Sequence, residues 1–324
     1  MAENEINELR VSVCICAFNA ADRIGLVLEA LGAQTDCTAR WDVVVVDNAS
    51  RDETAEVVAK GIAEYVPGRA RCVLEPQPGL MYARRAATNE ARGEFIAFLD
   101  DDNIPAPDYI ERLLDVLCAH PHVGMFGGRV WPEWVGEPEP LGKAVAFFAL
   151  AACDRGDESF AYRDVTGGPA GAGMVVRRAL MQTIFEEASL AVAVTGRRGS
   201  ALIGSDDTAL VVRAHQLGCE VRYEPSLVLK HRIPTSRTTR EYLLKLYEGI
   251  GRGQAALRPL YDAKARNPLL RRLIAIKEWL RWLKGALTGP TALTKIEYGP
   301  LAHDVHKLQQ RQTLGRFRQG LRHS

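Results

Sequence analysis

Three consecutive aspartates, Asp100, Asp101 and Asp102, follow directly on the apolar run 95–99, FIAFL, and precede Asn103. An unbroken apolar run bounded by polar residues suits a strand buried on both faces. Three carboxylates at the end of such a strand repel one another unless a cation neutralises them. Hard divalent cations such as Mg²⁺ or Mn²⁺ take oxygen ligands and are often held by one or two carboxylates together with substrate phosphates. These residue types predict a metal–diphosphate site at the carboxyl end of a central strand. The structural alternative is a solvated acidic turn before a helix starting near Pro107, with Asp102 or Asn103 as its cap.

The elements that would position such a site are legible upstream. Residues 11–18 (VSVCICAF) read as a buried strand, 43–46 (VVVV, ending in Asp47) as a second, apolar and β-branched strand, and 72–74 as a short third strand. Between them 24–31, 53–64 and 81–91 carry helical spacing, and Asp52 can cap the second of these. With the strand at 95–99 this is strand–helix alternation repeated four times, the pattern of a parallel sheet with helices on both faces. Ligands of such sheets sit beyond the carboxyl ends of the strands, where Asn19, Asp47 and Asp100–Asp102 all fall. The first turn, Ala17-Phe18-Asn19-Ala20-Ala21, has no GxGxxG, so a dinucleotide-binding domain is disfavoured. No GxxxxGK[ST] phosphate loop occurs either. Further on, 124–130 reads as a strand, 131–140 with three prolines as a loop or lid, and 166–176 as a glycine-rich segment turning into a strand. A helix is expected over 178–187, a mobile loop over 192–204, a helix over 209–217, and short strands at 221–223 and 227–230.

Apolar residues make up 47% of the 324 and charged residues 25%, as in ordinary globular chains. The net charge of +1 hides an asymmetry: residues 235–324 carry 18 Lys+Arg against 6 Asp+Glu, a net of +12. The preceding 234 carry a net of −11. A basic tail on an acidic body suits contact with a polyanion, a membrane surface or the body itself. The seven cysteines are scattered without CxxC spacing, which predicts buried thiols in a reducing compartment. With no apolar leader and no run of 18 apolar residues, the expected location is cytoplasmic, at most at the inner face of a membrane.

Six stretches, in order, resemble the family-2 glycosyltransferases: VSVCICAFNA, VVVVDNASRDET, PQPGLMYARRAATNEARGEFIAFLDDDN, GAGMVVRRAL, GSDDTALVVRAHQLG and VLKHRIPTSRTTREYLLKLYEGIGRG. The resemblance implies an α/β, GT-A fold with a mostly parallel sheet flanked by helices. It implies a catalytic domain over 1–234, split into a nucleotide-binding half (1–103) and an acceptor half (104–234). The activity implied is metal-assisted, inverting sugar transfer from a nucleotide-diphosphate sugar, expected to be a UDP-sugar, to an acceptor hydroxyl on a glycan or lipid-linked carrier. By position, Ala17, Phe18 and Asn19 would lie by the base and Asp47 would bond it. Arg84 would lie near the diphosphate, with a solvated helix face as its alternative. Asp100 and Asp102 would form the DXD motif, with Asp101 between them on the nucleotide side. Asp102, Asp100 and His231 would hold Mn²⁺ or Mg²⁺, although His231 equally suits a structural role at a strand end. Asp207, with Asp206 beside it, would be the general base. Neighbouring carboxylates disfavour double ionisation, which suits one to accept a proton; a helix cap after Gly204-Ser205 is the alternative. Many relatives carry a further acid where this chain has Thr208-Ala209, which leaves open which of the two aspartates faces the acceptor. Two other readings are a sugar-nucleotide-binding protein without catalysis and a sugar-phosphate nucleotidyltransferase. The second should carry a glycine-rich basic loop after the first strand, which 17–21 lacks.

The tail, 235–324, reads as a helical basic extension. Residues 238–258 suit one helix, and Asn267-Pro268 starts another. Over 269–287, Leu269, Leu273, Ile276, Leu280, Leu283 and Leu287 recur at three- and four-residue spacing, with Arg271, Arg272, Lys277, Arg281 and Lys284 off the stripe. That pattern suits either packing on the body or on a second copy in a homodimer, or peripheral contact with a membrane interface. No nucleic-acid-reading motif is present.

Overall fold

The computed structural model describes residues 9–187, 206–291, 294 and 297–322. The expected loop over 192–204 lies outside the described residues. Two compact units emerge, one from 9–133, 151–187 and 210–232, the other from 134–150, 206–209 and 233–322.

The first unit is built on one sheet. Strands β1 (Val11–Ala17), β2 (Trp41–Asp47), β3 (Ala70–Leu74) and β4 (Phe95–Asp100) run parallel in the order β3-β2-β1-β4. Helices α1 (Ile24–Gly32), α2 (Thr54–Tyr65) and α3 (Leu80–Glu90) connect them. All seven residues of β2 are buried, which is why its middle, 43–46, is an unbroken β-branched run rather than an alternation. Ile24, Val27, Leu28 and Leu31 of α1 join Val11, Val13 and Ile15 in the main core. Cys14, on the other face of β1, lies under α3 and its thiol points at the Ala87 carbonyl.

Beyond β4 the sheet becomes antiparallel. It continues through β8 (Val175–Arg177), β6 (Met125–Val135), β9 (Val221–Pro234) and β5 (Asn103–Pro105), and β7 (Phe160–Ala161) pairs with β9. Helices α4 (Tyr109–Ala119), α6 (Arg178–Glu186) and α7 (Asp206–Gln216) accompany this half, and α5 (Pro140–Ala149) follows β6. Two expectations are corrected here. The segment 131–135 is not loop but the continuation of β6, tied by Trp131 Nε1 to Asp154 Oδ2 (3.1 Å) and by Glu133 to Arg232 (3.1 Å). The two short strands at 221–223 and 227–230 are one 14-residue strand. Pro225 lies inside it, between Arg222 and Tyr223, which pair with β7, and Leu229–His231, which pair with β5, so the pairings with β7 and β5 do not call on the missing N–H.

The second unit is helical: α5, α8 (Arg240–Tyr261), α9 (Pro268–Thr288) and α10 (Ala302–Arg322). The Thr239 hydroxyl caps α8, and the Asn267 carboxamide oxygen accepts from the first two N–H groups of α9. Helices α8 and α10 approach so closely that a Cβ on Gly251 would lie 1.8 Å from the Gln312 carbonyl oxygen. Glu278 of α9 is buried among Arg281 (2.9 Å), Arg316 (3.0 Å) and Arg258 (3.8 Å). The face of α9 that packs is that of Ala275 and Glu278. The Leu269–Leu287 stripe, for which packing on the body was one expectation, is exposed instead. No helix among the described residues is long and apolar enough to cross a membrane. Of the cysteines, all free thiols, Cys14 and Cys153 are buried as expected, whereas Cys37, Cys72 and Cys118 are exposed.

Candidate active site

Register does the positioning. In the parallel ladder Ala17 pairs with Asp47, and Cys16 with Asp100. The chain therefore leaves β1, β2 and β4 at one edge, bringing Phe18–Asn19, Asp47 and Asp100–Asp102 together. The loops there are cross-braced. Asn19 adopts φ +47°, which an asparagine tolerates better than most side chains. Its N–H donates to Ser50 Oγ (3.0 Å) and its Oδ1 accepts from the Arg51 N–H (2.9 Å). Asp47 Oδ1 accepts from the Ser50 N–H (3.1 Å). Asn48 holds the loop before α3: its Oδ1 accepts from the Gly79 N–H (2.7 Å), and its Nδ2 donates to the carbonyls of Glu75 and Gln77. Gly79 itself has φ +143°, a conformation that disfavours a side chain.

The three aspartates are not equivalent. The Asp100 N–H donates to Asn103 Oδ1 (3.0 Å), which closes the turn. Asp101 is gripped by Arg23, Nε to Oδ1 at 2.8 Å and Nη2 to Oδ2 at 3.0 Å, and accepts from the Phe18 N–H at 3.3 Å. Burial, then the neighbouring charge of Asp102, push the Asp101 carboxyl up to about 6 even against the pull of Arg23. Burial works against the Arg23 cation, but the hydrogen bonds and charge of Asp101 outweigh it and raise its pKa. Asp102 is buried with Oδ1 at 3.4 Å from His231 Nε2. The antiparallel pairing of β5 with β9 sets this contact, because Asn103 lies opposite His231 and the Arg232 N–H donates to the Asp102 carbonyl. His231 thus sits inside a long strand rather than after a short one.

Arg84 is buried on α3 with its guanidinium 5.8 Å from the centre of the Phe98 ring, so the solvated-face alternative does not hold. Burial, with Asp100 and Asp101 adding to it against Arg84, pushes the nearby Cys16 thiol up to about 12, which keeps it an unreactive thiol. Asp206 and Asp207 open α7, whose first four residues group with the second unit and the rest with the first; Asp206 is buried and Asp207 Oδ1 accepts from the Thr208 N–H (2.8 Å). Acids in a first helical turn are favoured by the helix dipole. Among the described residues no three His, Cys, Asp or Glu side chains group closely enough to hold a metal by themselves. Sequence reasoning missed Arg23, Asn48 and the bracing role of Asn103. The one sequence signal for Arg23 was the need of a buried aspartate for a cation.

A parallel four-strand ladder continued by antiparallel strands, with acids at its carboxyl edge, is the GT-A architecture of nucleotide-sugar transferases. A family profile, Glycosyl transferase family 2, matches residues 12–185; the chain belongs to that family and is a glycosyltransferase. It is 24% identical over 242 residues to a glucosyl-dolichyl phosphate glucuronosyltransferase of Haloferax volcanii, a match covering 73% of each chain. It is 26% identical over 241 residues to the putative glycosyltransferase EpsH of Bacillus subtilis, covering 74% of this chain and 65% of that relative. Among solved structures it is similar to the mannosyltransferase PcManGT of Pyrobaculum calidifontis, crystallised with GDP-Man and Mn²⁺. That match has a TM-score of 0.58 and 19% identity, and covers 97% of this chain and 87% of that one.

Proposed function

We propose that the chain moves a sugar from a nucleoside-diphosphate sugar, a UDP-sugar by its resemblance, to an acceptor hydroxyl on a glycan or lipid-linked carrier, with inversion. Catalysis is assigned to 1–234, with 235–324 as its extension. The observation that carries this reading is the shared strand-end edge on which Asp47, Asp100–Asp102 and His231 converge. Asp47 takes the base, beside Ala17, Phe18 and Asn19. Arg84 and Asp100 serve the diphosphate–ribose end, and the Arg23–Asp101 pair holds the loop at Phe18.

The donor set fits a divalent cation. Asp102 and His231 make a pair of protein ligands, with Asp100 nearby. Mg²⁺ and Mn²⁺ are often held through one or two protein ligands and completed by substrate phosphates, and Asp102 Oδ1 and His231 Nε2 lie 3.4 Å apart. When bound, such a cation supplies positive charge to the leaving diphosphate. The acceptor oxygen forms its bond to the anomeric carbon as the bond from that carbon to the diphosphate oxygen breaks. Asp207, with Asp206 beside it, takes the hydroxyl proton.

The test is a panel of UDP-, GDP- and dTDP-sugars with Mn²⁺ or Mg²⁺, following nucleotide release. Metal-dependent release from one donor, lost in Asp102→Ala, is the expected result. Asp207→Asn should keep donor binding and lose transfer. Donor binding without turnover under any acceptor mixture would sink the catalytic reading.

A further inference from the structure

The strongest unexplained feature lies far along the chain from these acids. On α9, Leu269, Leu273, Ile276, Leu280, Leu283 and Leu287 are all exposed; Leu269 and Leu287 show 70% and 80% of their surface. At 3.6 residues per turn they fall within about 80° of arc. Arg272 and Trp279 border this stripe on one side, Lys277 and Lys284 on the other. The opposite face is already occupied, since Ala275 and Glu278 are buried and Glu278 is held by three arginines. Glu278 is the only acid in the helix, so the exposed surface of α9 carries basic groups alone.

That combination selects among occupants. A second copy of this helix would set Lys and Arg against Lys and Arg across the seam, which like-charge repulsion disfavours. A spanning helix is excluded by the charges on it. An anionic bilayer offers what the face needs: acyl chain for the stripe, a headgroup level for Trp279, and negative charge for the flanking cations. The net charge of +12 over 235–324 adds to the attraction.

We propose that α9 lies flat in the interface of an anionic membrane, its leucine stripe among the acyl chains and its lysines and Arg272 at the headgroups. This goes beyond the reading of the donor site and does not rest on it. It places α9 on the surface of a bilayer rather than across it.

The test is flotation of the full chain with vesicles of phosphatidylcholine, alone or with about one-third phosphatidylglycerol. Wild type should float with the anionic vesicles and detach as salt rises. Ile276→Asp with Leu280→Asp should weaken partitioning at least about tenfold, because a charge on the apolar face must enter the acyl region. Lys277→Glu with Lys284→Glu should weaken it about 25-fold or more on anionic vesicles, since each flanking cation is worth about fivefold. Unchanged thermal melting of both variants would confirm that these exposed positions do not carry the fold. Wild type that does not float, or that floats equally well with neutral vesicles whatever the charge at 277 and 284, overturns the proposal. So does a dimer, seen by light scattering, that the Asp variants disperse while no vesicle binding occurs.

Discussion

Asp101 should make the metal-free protein less stable as pH rises, and replacing it should remove that dependence. Its carboxyl is buried beside Asp102 and pushed from an ordinary 3.8 to about 6. The folded chain therefore binds this proton more tightly than the unfolded chain, and stability falls as pH climbs from about 4 to about 6. At about 1.4 kcal/mol per pH unit the whole effect is about 3 kcal/mol. Roughly 2 kcal/mol of it falls between about pH 4.5 and 7.5. Asp101→Asn keeps the shape, carries no charge at any pH and stands in for the protonated acid. Thermal melts in EDTA should show the variant gaining on wild type by about 2 kcal/mol over that interval, or about 4–8 °C for a domain of this size. Mn²⁺ at the higher pH should return part of the difference to wild type, because a cation on the neighbouring carboxylate offsets the repulsion from Asp102 and leaves the larger cost of burial in place. A gap between variant and wild type that stays constant with pH, or that runs the other way, would refute the assignment of burial and Asp102 as the dominant influences on Asp101.

Three further outcomes follow from named contacts. Glu278→Ala leaves Arg316 partly buried without its carboxylate and should cost about 3 kcal/mol in urea unfolding, at the lower end for broken buried pairs because Arg258 keeps Asp262 and Arg281 can relax into water. Gly251→Ala should cost about 2–3 kcal/mol by circular dichroism melting, since the helix gain of about 1 kcal/mol is outweighed by overlap with the Gln312 carbonyl. His231→Ala should weaken Mn²⁺ binding, read by electron paramagnetic resonance of the free ion, by about tenfold or more; unchanged affinity would make it a structural histidine.

The parallel half of the sheet was legible because strands covered on both faces must be written as unbroken apolar runs, and 43–46 and 95–99 are such runs. The acids could be placed at strand ends for the same reason. What escaped was long-range register. Nothing local pairs Arg23 with an aspartate 78 positions away, and β5 is too short to announce that Asn103 lies opposite His231. Continuity of β6 through Pro132, and of β9 through Pro225, likewise depends on which neighbours pair where. On α9 the heptad-like spacing was read correctly, but periodicity fixes only that a stripe exists. Which face turns inward was decided by a buried glutamate and its three arginines, residues that look like solvated charge in the sequence.

The most direct test of the metal–diphosphate account is calorimetric titration of UDP, with and without Mn²⁺, into wild type and Asp102→Ala. Binding should require Mn²⁺ and be lost in the variant while its thermal unfolding stays cooperative. Binding of equal strength without the metal, or retained in Asp102→Ala, would contradict it.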